Sequence, residues 1–559
     1  MVEFADLEQQ KRIEFLRRRE EEELAQMLSA KYGVEYIDLT LVAVNSDALR
    51  LLTEAEARDA EVATFGRVGK RLSLAARAPE NPKVKTIIQK LTEMGYEVTV
   101  FMCSQESLKR AFLHYAELSY ATETKAGVFE LSNEELEALL AKVTKLEDIS
   151  TLINEAITLK HAYRITRILE VILAGALSTG ASDVHFEPEE TDVRLRYRLD
   201  GVLVDVLTFD PDTYKLVVSR LKLLSGLKLN IDASAQDGRF SIKIKGSEIE
   251  LRTSILPGNY AETIVLRVLN PESIGVPLEA LGMEEGLRLR IEKEITKANG
   301  MILTTGPTGS GKTTTLYAFL RKVNSSETKI ITIEDPVEYH LKGIVQTQVD
   351  KKEYTFANGL RSALRQDPDI IMIGEIRDSE VATTAVNAAL TGHLVFSTLH
   401  TNNAAGSFPR LIDLGVDEKV LSSSVNAALA QRLVRKLCVS CQVTRDATPE
   451  EKTIIDKTLA TVVNKSLIPA DTSKVHDAKE GGCPECHGRG YKGRIGIYEA
   501  IFMDQTIEEI LRTSPTEREI MAAAKSQGTP SMQEDGVLKV LRGVTSLDEL
   551  KRVIDFDTQ

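Results

Sequence analysis

A chain of 559 residues is too long for one hydrophobic core, which stops growing at about 250–300 residues, so several domains are expected. Its 43% apolar and 27% charged residues describe a globular chain and argue against disorder or a fibrous repeat. The 70 basic against 83 acidic side chains leave a net charge of −13, which argues against indiscriminate binding to nucleic acid but permits a local basic groove.

Residues 5–31 read as one charged helix, free of Gly and Pro from Asp6 to Ala30, in which Arg17-Arg18-Arg19 meets the acids Glu20–Glu23. Met1–Asp6 lacks the basic-then-apolar pattern of a secretory signal, and no apolar run approaches the roughly 20 residues that span a bilayer. The expectation is a cytoplasmic protein whose membrane association, if any, is peripheral. From about Tyr32 to Leu118, strand-like runs (Glu35–Leu39, Val98–Cys103) alternate with helical ones (Asn81–Met94, Gln105–Tyr115), as in a small α/β or α+β module. Cys103 stands alone in an apolar stretch and reads as a core residue. A linker is expected around Tyr120–Val128, followed by a helix over Asn133–Leu146.

A second unit opens with a helix over Arg164–Thr179 and continues with strands Val193–Leu199, Arg239–Ile244, Ile249–Ser254 and Thr263–Leu269. Asp200-Gly201, Gly246-Ser247 and Pro257-Gly258-Asn259 supply turns between them. A third unit, from about Leu281, alternates helices with the apolar runs Met301–Thr305, Ile330–Ile333, Ile370–Ile373 and Leu394–Ser397, the pattern of a mostly parallel α/β sheet.

The strongest chemical signal follows the first of these runs. Gly306-Pro307-Thr308-Gly309-Ser310-Gly311-Lys312-Thr313 lies between a strand and the helical run Thr314–Val323, the context that distinguishes a P-loop from a chance match. Glycines let backbone N–H groups wrap phosphates, Lys312 can reach the β- and γ-phosphates, and the Thr313 hydroxyl can ligate Mg²⁺. Hydrolysis also needs a group that positions or deprotonates water. Two apolar runs end in acids, Glu334-Asp335-Pro336-Val337-Glu338 and Gly374-Glu375, and the carboxyl edge of a parallel sheet is where ligands sit. His393 and His400 bracket the run Leu394–Ser397; they are either buried structural groups, or one of them senses the γ-phosphate.

In order, GPTGSGKTTTLY, ITIEDPVEY, DPDIIMIGEIRD and TGHLVFSTLHTNNA resemble the Walker A, Asp box, Walker B and His box of the type II/type IV secretion ATPase superfamily. Upstream, ASDVHFEP (Ala181–Pro188), Gln236–Phe240 and Glu250–Asn270 resemble its PAS-like second domain. The resemblance implies an α/β RecA-like P-loop ATPase domain over 281–559, a PAS-like α+β domain over 151–280, a linker and helix over 131–150, and a small N-terminal docking module over 1–130. It implies that Glu338 activates water and that Glu375 supports Mg²⁺ and catalysis. Glu334 and Asp335 become secondary metal-site candidates, and Gly306–Thr314 becomes the nucleotide-binding loop. Arg239, Arg252 and Arg267 match arginines that the family directs at nucleotide from the second domain.

Cys438-Val-Ser-Cys441 and Cys483-Pro-Glu-Cys486, separated by 41 residues, supply four thiolates for a structural, tetrahedral Zn²⁺ that would close a long insertion over 438–486. A redox dithiol is the competing reading. In the family such a tetracysteine insertion accompanies assembly-type rather than retraction-type motors. The resemblance therefore implies a homo-hexameric motor that uses ATP, Mg²⁺ and Zn²⁺ to drive pilin or pseudopilin fibre assembly. Its expected partners are an inner-membrane platform protein and cytoplasmic docking proteins, with no specific nucleic acid. The Arg-Leu-Gly-type segments of cyclic-di-GMP binders are not evident in residues 1–120, so that ligand is not expected. A retraction motor, or a nucleic-acid translocase of RecA-like type, is the alternative.

Overall fold

The computed structural model describes residues 21–556 apart from 40–41, 43, 50, 69, 114, 116–127, 131–138, 140–141, 144, 159–160, 245–246, 271–274, 351–352 and 514. Residues 5–20 of the expected N-terminal helix, the expected linker up to residue 127 and most of the helix expected over 133–146 lie outside the described residues. Two compact units are present, one of residues 1–122 and 153–170, the other of 123–152 and 171–559.

In the first unit, β1 (Glu35–Tyr36), β2 (Val62–Val68), β3 (Arg71–Ala76) and β4 (Glu97–Met102) form a sheet in the order β1-β4-β3-β2. Helix Pro82–Glu93 starts where the Asn81 side chain accepts from the Lys83 N–H and Pro82 presets the first turn. Its Val84, Ile87 and Leu91 join Val62, Leu72 and Leu74 in the core. Cys103 is fully buried there, and burial raises its thiol far above its ordinary value, which suits an inert core residue.

The second unit contains two seven-stranded sheets. The first comprises β5 (Val128–Glu130), β6 (Asp183–Pro188), β7 (Val193–Leu199), β8 (Val202–Phe209), β9 (Gln236–Ile244), β10 (Ser247–Leu256) and β11 (Thr263–Leu269), ordered β5-β9-β10-β11-β6-β7-β8. Strict alternation along β7 turns Val193, Leu195, Tyr197 and Leu199 into the core and leaves Arg194, Arg196 and Arg198 on the other face. The strands β6 and β8 and the helix Pro211–Leu224 were not among the sequence expectations.

The second sheet runs β14-β13-β15-β16-β12-β17-β20. Its strands are β12 (Gly300–Thr305), β13 (Ile330–Glu334), β14 (Val345–Gln348), β15 (Ile370–Ile373), β16 (Leu394–Leu399), β17 (Val425–Leu437) and β20 (Tyr491–Phe502). A small hairpin, β18 (Val443–Asp446) with β19 (Lys474–Asp477), lies between β17 and β20. All pairings from β14 to β17 are parallel, and β20 closes the edge antiparallel to β17. Strands β12, β13, β15 and β16 are buried along their whole length, which is why each reads as a continuous apolar run rather than an alternating one. Leu316, Tyr317, Phe319 and Leu320 of helix Lys312–Val323 cover one face, and Val381, Ala382, Ala385 and Ala389 of helix Ser379–Leu390 cover the other.

Candidate active site

Parallel register brings the chemistry together. Thr305 of β12 pairs with Leu399 of β16, and Ile373 of β15 pairs with Ser397 of β16 and Ile333 of β13. Four carboxyl ends therefore lie on one edge, carrying the loop from Gly306, the acids from Glu334, the Gly374-Glu375 pair and His400. Hydroxyls stitch the strand ends to one another. Thr398 Oγ1 donates to the Gly374 carbonyl (2.7 Å), and the Thr401 N–H donates to Thr305 Oγ1 (2.9 Å).

The loop is fixed by its glycines and by β17. Gly306 has φ +143°, and a Cβ there would stand 2.6 Å from the Gln431 carbonyl oxygen, so no other residue fits without displacing β17. The Gln431 amide in turn donates to the Ser310 carbonyl (2.7 Å), fixing the loop from below. Lys312 Nζ donates to the Gly306 (2.8 Å) and Pro307 (3.1 Å) carbonyls, holding its charge over the loop. Burial draws the Lys312 ammonium below its ordinary value; the nearby Glu375 charge opposes that shift and Arg432 adds to it.

The carboxylates have different surroundings. Glu375 is mostly buried and pairs with Arg377, and the His400 Nε2 lies 3.4 Å from its second oxygen. Glu338 is partly exposed and accepts from Arg252 Nη1 at 3.1 Å, while Arg252 Nη2 donates to the Val337 carbonyl at 2.9 Å. Glu334 is buried, and its oxygens accept from Tyr317, Thr332 and Gln346. Three of the acceptor positions of Glu334 are thus taken by protein donors. Asp335 follows it, and the Asp335–Pro336 peptide bond is cis.

The three arginines of the first sheet share one line. Arg239, Arg252 and Arg267 are direct cross-strand partners on β9, β10 and β11, and the line continues through Asp183 and Arg198. Of the three, Arg252 is the one that reaches Glu338. Arg239 is 78% exposed with Glu250 3.9 Å away, and Arg267 bonds Asp183 at 3.1 Å. A second link between the sheets is Asp200, which accepts from Arg489 Nη1 (2.8 Å) and the Gly493 N–H (3.2 Å).

The two histidines part company. His393 precedes β16, its ring bonded to the Ala388 carbonyl at 3.1 Å, whereas His400 follows the strand. Seven positions at about 3.3 Å each put them about 23 Å apart, so His393 stands at the edge away from the loop. Of the two, His400 is the one at the edge that carries the loop, with Glu375 beside it.

The cysteines converge. Their four sulfurs lie within 4.8 Å of one another, with Cys438–Cys483, Cys441–Cys486 and Cys483–Cys486 separated by 3.7, 3.8 and 3.7 Å. Tetrahedral ligation at about 2.3 Å gives sulfur separations of about 3.8 Å, far from the ~2.05 Å of a disulfide. Burial tends to raise the Cys486 thiol, but the Cys483 and Gly490 N–H groups, each 3.1 Å from its sulfur, outweigh it and bring the thiol down to about 7. The turn demands Gly482, whose φ is +55° and whose Cβ would meet the Gly488 carbonyl carbon at 2.4 Å. The donor set and its spacing fit a four-thiolate metal site.

Several residues at the site lay outside the sequence reading. Gln431 and Arg432 are on β17, whose run Val425–Leu437 mixes polar with apolar residues, and Arg377 follows Glu375 in a loop. Tyr317 and Gln346 face inward beside Glu334. Tyr317 and Arg377 stand inside the Walker A and Walker B segments without a role that spacing assigns them, and Gln346, Gln431 and Arg432 lie outside the motifs.

A P-loop at the carboxyl edge of a parallel sheet, with carboxylates on the neighbouring strand ends, defines an ATP-hydrolysing enzyme of the RecA-like class. The chain belongs to the type II/IV secretion system protein family, whose model matches residues 158–552, and an MshEN domain matches residues 32–123. It is 43% identical to the type II secretion system protein E of Pseudomonas aeruginosa over 75% of this chain and 80% of that protein. The type II secretion system protein E of Aeromonas hydrophila is 39% identical over 90% of this chain and 97% of its own length. The type IV pilus assembly ATPase PilB of Myxococcus xanthus is 35% identical over 95% of this chain and 91% of its own.

Proposed function

We propose that this ATPase is a hexameric motor that powers pilin or pseudopilin fibre assembly from the cytoplasmic face of the inner membrane. The names of its relatives, in type II secretion and type IV pilus assembly, support that class of work. Among the described residues no helix is long and apolar enough to cross a membrane, so force would pass to a membrane-embedded platform protein through docking contacts. Residues 1–130 would serve as the docking module, 131–150 as a linker, 151–280 as the PAS-like domain and 281–559 as the motor core.

In this reading Gly306–Thr314 holds the phosphates, Lys312 offsets their charge and the Thr313 hydroxyl contributes to the Mg²⁺ site. Glu338 activates water, and Glu375, beside Lys312, supports the metal and the developing charge. The four cysteines hold Zn²⁺, which fixes the insertion between β17 and β20. The observation that carries the motor reading is the Arg252–Glu338 ion pair, because it joins the arginine-bearing sheet directly to the loop with the water-activating acid. A γ-phosphate arriving at the P-loop offers Arg252 a second, stronger anion. Exchange of one partner for the other would move the two sheets relative to each other on each cycle.

The test is turnover and particle size measured together on the purified chain. The expected result is Mg²⁺-dependent ATP hydrolysis by a six-copy particle, unaffected by added DNA. Hydrolysis that requires nucleic acid would replace this reading with a translocase.

A further inference from the structure

Glu338 lies in the loop between β13 and β14, yet that loop is held from both sides. On one side stands the helix that begins at Lys312. Tyr317 of this helix donates its hydroxyl to Glu334, and the Glu338 backbone amide bears on the same hydroxyl, opposing the rise that burial gives it. One turn on, Arg321 lies over the Tyr339 ring and donates to its hydroxyl at 3.1 Å, and Tyr317 meets that ring edge-on at 4.6 Å. On the other side stands β14. Gln346 uses both ends of its amide: its oxygen accepts from the Leu341 N–H (2.7 Å), and its nitrogen faces the Tyr339 carbonyl (3.1 Å) and Glu334 (3.2 Å). Gln348 accepts from the Val337 N–H at 3.3 Å.

The chemistry of this cluster is directional. Tyr317, Thr332 and Gln346 all donate to Glu334, and an ionised carboxylate is the side chain that can accept from three donors while offering none. Burial, reinforced by the Glu334 charge, pushes the Tyr317 hydroxyl far up, so it stays a donor. Buried polar groups cost little only when every member is satisfied, and this network meets that condition around its central acid.

We infer that Glu334, Tyr317 and Gln346 form a clamp that positions Glu338 against the P-loop, making all three positioning residues for hydrolysis. The clamp rests on the reading of Glu338 as the group that activates water. It ties that acid to the same helix that presents Lys312, so the phosphate clamp and the water-activating acid move as one body. Misplacement of a reacting group by about 1 Å can cost about 10²-fold in rate, which sets the size of the effect.

The experiment compares Tyr317→Phe, Gln346→Leu and Glu334→Gln with Glu338→Gln in the full chain, titrating ATP and Mg²⁺ separately in steady-state ATPase assays. Each clamp variant is expected to lose about 10²-fold in kcat, with KM for ATP and half-saturating Mg²⁺ unchanged. Tyr317→Phe removes one oxygen and keeps the ring packing, so the test does not depend on the harsher variants folding. Parental kcat in Tyr317→Phe and Gln346→Leu, with Glu338→Gln inactive, overturns the clamp and leaves the role of Glu338 intact. A rise in the Mg²⁺ requirement of Glu334→Gln makes Glu334 a metal-site residue and overturns its place in the clamp. Parental turnover in Glu338→Gln overturns the base reading and the clamp together.

Discussion

The P-loop and the cysteine knuckle use the same backbone device for opposite ends. Both are tight turns built on glycines with positive φ; the P-loop directly follows β12, and the glycine-bearing knuckle around Cys483–Cys486 directly precedes β20, where N–H groups face a cysteine sulfur. In the cycle proposed here the groups that close the P-loop site come from three other strand ends and from β10, and each is held by a partner it can exchange: Lys312 by loop carbonyls, Arg252 by Glu338, Glu375 by Arg377. At the knuckle the four sulfurs surround one point and complete each other's geometry. An open constellation with exchangeable partners can turn over; a closed one can only hold.

The largest effect separating the two is expected at Lys312. Lys312→Ala should cut ATP turnover by about 10³-fold or more, the scale for losing a cation at a transferring phosphoryl group, with thermal stability retained. Turnover near the parental rate would remove the P-loop from the mechanism. Next, Glu338→Gln and Glu375→Gln should retain binding of a fluorescent ATP analogue and lose about 10²–10⁴ in kcat. Loss of binding alongside rate would recast them as structural. The knuckle should behave in reverse: Cys438→Ser or Cys486→Ser should abolish bound metal, about one Zn²⁺ per chain in the parent by metal analysis, and lower the unfolding temperature more than the kcat. A purified parent with freely reactive thiols and no metal would contradict this. Smallest is the histidine contrast. His400→Ala should lower kcat through Glu375, while His393→Ala, at the other edge of the sheet, should leave it unchanged; equal losses would show that the strand does not separate their roles.

Legibility from sequence followed the same division. Fully buried parallel strands are continuous apolar runs, so β12, β13, β15 and β16 stood out, as did both cysteine pairs by spacing. Strands β17 and β20 did not, because each carries charged residues along its length. Among the acids, sequence shows that Glu334 ends a strand but not that its side chain turns inward to Tyr317, since one residue of register decides the direction. Likewise two histidines seven positions apart look equivalent until an extended strand lies between them. The arginines were legible as a set. Their alignment in one row, and the reach of Arg252 alone to Glu338, depend on the pairing of β9, β10 and β11.

The central claim is that hydrolysis needs a cation from the first sheet as well as the P-loop of the second, and Arg252 tests it most directly. The measurement is steady-state ATPase of Arg252→Ala in the full chain, with ATP binding determined separately under the same conditions. The account predicts near-parental binding with kcat reduced by about 10³-fold, in the range found for cations that meet the transferring phosphoryl group. Parental turnover, or a faster rate from Glu338 freed of its partner, would mean that Arg252 only restrains that acid, and the coupling of the two sheets through catalysis would be wrong.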